Sequence, residues 1–170
     1  MSIVISGTGL FTPPHSISND ELVIAFNQYV ENYNAENEEA INSEQLTALK
    51  PSSSEFIEKA SGIKSRYVMF KDVALDPKKM MPFIPQRSDD ELSAQAEMAV
   101  GAARQAMAAA NKTADDIDLI IVACAYTQRA YPAIAIEVQK ELGCKGWAYD
   151  MLVACSSATF GIMNASNALY

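Results

Sequence analysis

The strongest constraint on the fold is a pair of apolar runs, Ile117 to Cys124 and Trp147 to Val153, separated by a segment with helical spacing. A nearly unbroken apolar run of this length fits a strand buried on both faces. Between the two, Pro132 suits a helix first turn. Ile134, Val138 and Leu142 share one helical face, and Gly143 can end the helix. After the second run comes a cluster of very small residues, Ala154, Cys155, Ser156, Ser157 and Ala158, and then a helix-compatible stretch. Strand, helix, strand, helix in this order predicts parallel β-α-β units with right-handed crossovers. The expected class is α/β, with a mixed, mostly parallel sheet covered by helices.

Length and composition narrow the function. A chain of 170 residues can bury a sizeable core. At 49% hydrophobic and 20% charged it is a globular protein, not a disordered one. A net charge of -8 argues against nucleic-acid binding. No apolar run approaches the roughly 20 residues of a membrane span, and no signal peptide opens the chain. The three cysteines lack metal-ligand spacing and His15 is the only histidine, so no metal site is expected. An odd thiol count without a secretory signal predicts reduced thiols in the cytoplasm.

Along the chain, Ser2 to Ser6 reads as a strand, followed by a bend at Gly7 and Gly9. Asn19 is placed to cap a helix running from Asp20 to about Tyr33, with Leu22, Phe26, Tyr29 and Val30 on its buried face. Residues 32–50 are acidic and polar, and read either as a solvated surface segment or as a lid. Ser52 to Ser61 is a short helix, capped by Ser52, Ser53 or Ser54 and stopped by Gly62. Ser65 to Phe70 reads as strand. Residues 71–87, with Pro77, Pro82 and Pro85, form a loop whose Met80, Met81, Phe83 and Ile84 either cover a ligand or pack on the body of the protein. Ser88 and Glu91 have capping-box spacing and predict a helix to about Ala110, ended by Asn111.

Cys155 is the residue with chemical promise. It stands where a strand turns into a helix, and the unpaired N–H groups and positive end of a helix favour a thiolate. The alternative is a small buried hydrophobe, the usual state of a free cysteine.

The stretch D-M-L-V-A-C-S-S-A-T-F-G-I, with the preceding I-I-V-A-C-A-Y-T-Q-R-A-Y-P-A-I-A-I-E-V-Q-K-E-L-G, the opening I-S-G-T-G-L-F-T-P-P and S-S-S-E-F-I-E-K-A-S-G-I-K-S-R-Y, resembles the β-ketoacyl-(acyl carrier protein) synthase III family of the thiolase superfamily. The resemblance implies the N-terminal half of a thiolase-like fold over residues 1–170, with insertions at 32–50 and 71–87 and a second half outside this chain. It implies acyl transfer from acyl-coenzyme A to Cys155, with the Cys155 backbone N–H serving an oxyanion. A decarboxylative Claisen condensation with malonyl-acyl carrier protein follows, using a His and an Asn of the second half; His15 does not match that role. No cofactor is implied beyond the coenzyme A thioester substrate. Phe56 matches an aromatic that stacks on adenine, normally tryptophan, and Ser52 a hydroxyl beside it. A basic residue usual a few positions on is replaced by Ala60, with Lys59 adjacent. Tyr131 matches an aromatic that crosses a homodimer interface to close the partner's acyl pocket. Two alternatives stay open: a thiolase-fold acyltransferase or long-chain condensing enzyme, and a noncatalytic half-domain that binds a partner.

Overall fold

The computed structural model describes residues 2–81 and 86–169. Phe83 and Ile84 of the expected apolar loop lie outside the described residues. The chain divides into two compact units, Pro13–Gln86 and Met1–Thr12 with Arg87–Tyr170.

In the first unit, β1 (His15–Ser18) pairs antiparallel with β2 (Ser65–Val68), His15 opposite Val68 and Ser18 opposite Ser65. Helix α1 (Asn19–Glu36) is capped by Ser18, not by Asn19. Ser18 Oγ accepts from the Glu21 N–H at 3.2 Å, and the Glu21 carboxylate accepts the Ser18 N–H at 2.9 Å. Asn19 is unavailable as a cap because its side chain is committed elsewhere. Its amide donates to the Ile63 carbonyl at 2.7 Å, and its oxygen accepts from Arg66 at 2.7 Å. After α1 come α2 (Glu38–Asn42), α3 (Ser54–Ser61) and α4 (Lys71–Ala74). Ser53 caps α3 by accepting the Phe56 N–H at 3.1 Å, and Gly62 follows its end, as the sequence pattern predicts.

The acidic stretch is held at its C-terminal end by two asparagines of α1. Asn34 exchanges hydrogen bonds with Leu49, at 2.9 and 3.0 Å, and Asn27 with Ser52, at 2.8 and 3.1 Å. Each side-chain amide thereby imitates a backbone partner for an otherwise irregular strand.

Glu21 has one further partner, Lys71 Nζ at 2.5 Å. This bond, then those from Ser18, holds the Glu21 carboxyl at about 2, against 4.5 ordinarily. A carboxylate depressed in the folded state stabilises it above the unfolded value and loses that contribution as pH falls toward the folded one. A carboxyl-carbon NMR titration should therefore place the Glu21 midpoint near 2, with the α1 cap intact through pH 4.5; a midpoint near 4.5 refutes the assignment.

The second unit contains α5 (Ala94–Ala110), β3 (Leu119–Cys124), α6 (Ile134–Leu142), β4 (Trp147–Leu152) and α7 (Ser157–Ala168). Strands β3 and β4 are parallel, in register from Leu119 opposite Trp147 to Cys124 opposite Leu152, with α6 connecting them. This is the β-α-β unit that the two apolar runs predict. Asn111 and Gly143 end α5 and α6 in left-handed conformations, φ 54° and 74°. Only a residue tolerant of positive φ can occupy such a cap.

Four expectations are corrected here. Residues 2–6 form no strand; this segment leads into Leu10, whose N–H donates to Gln105 of α5 at 3.2 Å. Ser88 and Glu91 meet but make no reciprocal box: the Glu91 carboxylate accepts both the Ser88 N–H and hydroxyl, at 3.0 and 3.1 Å, while the Glu91 N–H goes to the Ser88 carbonyl at 3.1 Å, which closes a turn, and α5 starts at Ala94 under a Ser93 cap. The reason is distant: the Ser93 N–H is taken at 2.7 Å by the buried carboxylate of Glu137 on α6. Pro132 lies before the first turn of α6. There the Asp150 carboxylate of β4 accepts the N–H groups of both Ile134 and Ala135 at 2.8 Å. Finally, β3 is only half-buried: α6 packs on one face and α7 covers part of the other. Ile120 and Val122 join Ala96, Val100, Ile134 and Val138 in the core. Leu119, Ile121 and Ala123, on the alternate face, line an open apolar trough of about 610 Å³ beside α7.

Candidate active site

The strand-turn-helix expected around Cys155 is present. β4 ends at Leu152, a short 3-10 turn spans Ala154–Ser156, and α7 begins at Ser157. Cys155 is exposed at the crest of this turn. Ala154 precedes it with φ 47°. A left-handed L-residue costs roughly 1–2 kcal/mol, so the turn must be held by its surroundings.

The holding bonds are visible. The Ser156 N–H donates to the Val153 carbonyl at 3.0 Å, and the Ser157 N–H donates to the Ala154 carbonyl. Among the described residues, the Cys155 N–H takes no part in these turn bonds. The buried Ser157 hydroxyl accepts the Val153 N–H at 2.8 Å and lies 2.8 Å from the carbonyl oxygens of both Cys124 and Ala154. One side chain thus fastens the ends of β3 and β4 to the turn.

The other two thiols sit differently. Burial, then the Asp150 carboxylate, pushes the Cys124 thiol above its ordinary range. Burial, then Asp115, does the same for Cys144. Cys155 is the exposed thiol of the chain.

Tyr131 stands in the loop between β3 and α6 and is 88% exposed. Its loop is anchored on both sides. Gln95 and Gln128 bridge the loop to the start of α5, with bonds of 2.6, 2.8 and 2.9 Å. Arg129 lies 3.7 Å from the Glu137 carboxylate and donates to the Glu91 carbonyl at 3.3 Å.

In the unit Pro13–Gln86, Ser52 and Phe56 line one hollow of about 560 Å³, together with Phe26, Lys50, Pro51 and Ser53. Phe56 is 65% exposed. Two aromatic rings, one ammonium and two hydroxyls suit a planar base carrying an anionic group. Ala60 and Lys59 are exposed on α3. Lys50, which sequence reasoning passed over, is the cation that lines the hollow; no local pattern marks it, because its place depends on how Asn27 and Asn34 fix the incoming chain. Ser157 and Asp150 were missed for the same kind of reason. His15 is exposed at the start of β1. Cys155 and Tyr131 therefore belong to one unit, Ser52 and Phe56 to the other. Among the described residues, no cluster of His, Cys, Asp and Glu could hold a metal ion, and no helix is long and apolar enough to cross a membrane.

Comparison with known proteins agrees with the sequence resemblance. No protein-family model matches the chain. A β-ketodecanoyl-(acyl carrier protein) synthase of Pseudomonas aeruginosa is 59% identical over 145 residues, covering 85% of this chain and 41% of that protein. A β-ketoacyl-(acyl carrier protein) synthase III of Granulibacter bethesdensis is 29% identical over 160 residues, covering 94% of this chain and 36% of that protein. Among solved structures, the 3-oxoacyl-(acyl carrier protein) synthase III of Aquifex aeolicus superposes with a TM-score of 0.63 at 24% identity, over 95% of this chain and 38% of that one. The tetronic acid condensing enzyme AbyA1 superposes at 0.68 with 17% identity, over 99% of this chain and 40% of that one. The chain spans about two fifths of the length of the relatives it matches. By sequence and by fold, it is a relative of the β-ketoacyl-(acyl carrier protein) synthase III enzymes and carries part of their thiolase-like fold.

Proposed function

We propose that this chain supplies the acyl-accepting part of a condensing enzyme of fatty-acid synthesis. The observation that carries the reading is the exposed Cys155 on a braced strand-to-helix turn, within a sequence 59% identical to a named ketoacyl synthase. The Cys155 sulfur attacks the carbonyl carbon of an acyl-coenzyme A thioester. The new carbon–sulfur bond forms first, giving a tetrahedral intermediate; its collapse breaks the bond to coenzyme A, which leaves as a thiol carrying the proton from Cys155. The Cys155 N–H is available to the oxyanion of the tetrahedral intermediate. Within its own unit, the hollow of Phe56, Ser52 and Lys50 is suited to a nucleotide, the role that the family resemblance implies for Phe56 and Ser52. Malonyl-acyl carrier protein then takes the acyl group with loss of carbon dioxide, on groups supplied by the remainder of a longer, two-halved protein.

The same remainder covers α7, whose Phe160, Ile162 and Met163 are exposed at 42%, 62% and 48%. Tyr131, held out on its anchored loop, serves a homodimer contact. A cytoplasmic location follows from the substrates. The name of the Pseudomonas relative favours a medium-length chain: a ketodecanoyl product is an eight-carbon acyl group extended by two carbons.

Incubation of the full-length protein with acetyl-, octanoyl- and palmitoyl-coenzyme A, followed by peptide mass mapping, tests the reading. The expected result is a thioester adduct on Cys155, formed fastest with octanoyl. Adducts absent, or confined to Cys124 or Cys144, would overturn it.

A further inference from the structure

We infer that Ser157 is a positioning residue that aims the Cys155 N–H at the reacting carbonyl. The inference rests on the acyl-transfer reading above and adds a residue to it.

One peptide plane links Ser157 to the Cys155 N–H. The peptide joining Ala154 to Cys155 contains the Ala154 carbonyl and the Cys155 N–H, and in a planar trans peptide these point in opposite directions. Whatever fixes the carbonyl therefore fixes the N–H. The Ala154 carbonyl is held from Ser157 twice, by its backbone N–H and by its hydroxyl at 2.8 Å. The preceding Val153 N–H also ends on that hydroxyl, at 2.8 Å. Ser157 thus grips the chain on both sides of Ala154, the residue with φ 47°. Left alone, such a residue relaxes to negative φ, and the following peptide plane rotates with it.

The hydroxyl has a single proton and two carbonyls at 2.8 Å, those of Ala154 and Cys124. Sharing it ties the aimed peptide to the end of β3, so the N–H direction is referred to the sheet and not only to the turn. Ser157 is 3% exposed and its hydroxyl is occupied by these partners, which rules it out as a group that touches substrate itself.

Two reactions of the same thiol separate aiming from mere folding. Acylation by a thioester passes through an oxyanion; alkylation by iodoacetamide displaces iodide at a saturated carbon and does not. In the full-length protein, Ser157→Ala should slow acylation of Cys155 by between roughly tenfold and a hundredfold, as for misplacements on the ångström scale. Alkylation of Cys155 should stay within about twofold, since the thiol itself is not moved into the core. Ser157→Thr, which keeps the hydroxyl, should restore most of the acylation rate. Should Ser157→Ala not fold, the double variant Ala154→Gly with Ser157→Ala relieves the positive-φ cost. It should fold and still acylate slowly, because glycine removes the strain without aiming the peptide. Acylation at the wild-type rate in either hydroxyl-free variant overturns the inference, as does an equal loss of acylation and alkylation. A wild-type protein that alkylates at Cys155 but never acylates instead brings down the acyl-transfer reading, and the role of Ser157 with it.

Discussion

Replacing Cys155 by serine should lower thioester-dependent acylation on the order of 10³-fold or more while leaving the fold unchanged, as loss of a covalent nucleophile does elsewhere. A serine hydroxyl needs a general base, and none of the bonds at the turn supplies one to position 155: Ser157 is occupied by the backbone. Neither remaining thiol can substitute. Cys144 is buried after α6, Cys124 is partly covered at the end of β3, and both are held in the thiol form by burial and a nearby carboxylate. Limited iodoacetamide treatment should accordingly label Cys155 before Cys124 or Cys144, and labelling of those two should rise only at alkaline pH. For a thiol raised in the folded state, stability is full below the unfolded value and falls as pH climbs through the folded one. Their exposure above pH 9 should then coincide with loosening of the β3–β4 unit. Peptide mapping with time reads both effects; preferential labelling of Cys124 or Cys144 at neutral pH refutes the ranking.

Truncating Ile134 to alanine should cost about 2–5 kcal/mol of stability, the usual range for a fully buried aliphatic residue. Ile134 is 0% exposed and lies in a core with Ala96, Val100 and Val138, touching the Ile120–Val122 face of β3. The small alanines of α5 bring helix and sheet close, so little can move in to refill the space. Its backbone N–H also donates to the Asp150 carboxylate, so the residue joins core and helix cap. Ile134→Val should cost only about 0.5–1.5 kcal/mol. Ile24→Ala, on the exposed face of α1, should stay within about 0.5 kcal/mol. Denaturant unfolding of the three variants measures the series. Equal effects at Ile134 and Ile24 would mean that the core is not where the packing places it.

Both results bear on function through the same scaffold. The sheet carries Cys124 and Leu152 side by side, and the turn with Cys155 hangs from those two strand ends through Ser157. Loosening α6 should propagate to the turn, because Asp150 of β4 is the cap of α6. A fall in acylation by Ile134→Ala greater than its unfolded fraction explains would measure that link.

Several features were legible in the sequence because their causes lie within a few residues. Ser53 caps α3 through Phe56, three positions on; Asn111 and Gly143 end helices because positive φ selects their residue types. The strand, turn and helix around Cys155 followed from an apolar run meeting small residues. The parallel pairing of β3 and β4 followed from the helix between them. Other features had causes far along the chain. Ser88 and Glu91 meet only in a turn and no helix grows from it, because Glu137 fixes the Ser93 N–H from 44 residues away. Asp150 replaces Pro132 as the determinant of where α6 begins. Asn19 lost its cap to Ser18 because Ile63 and Arg66 claimed its side chain. A short sequence window records which hydrogen bonds a residue can make. Which one it does make is settled by the distant groups that the tertiary fold brings within 3 Å, since a buried donor or acceptor must find a partner.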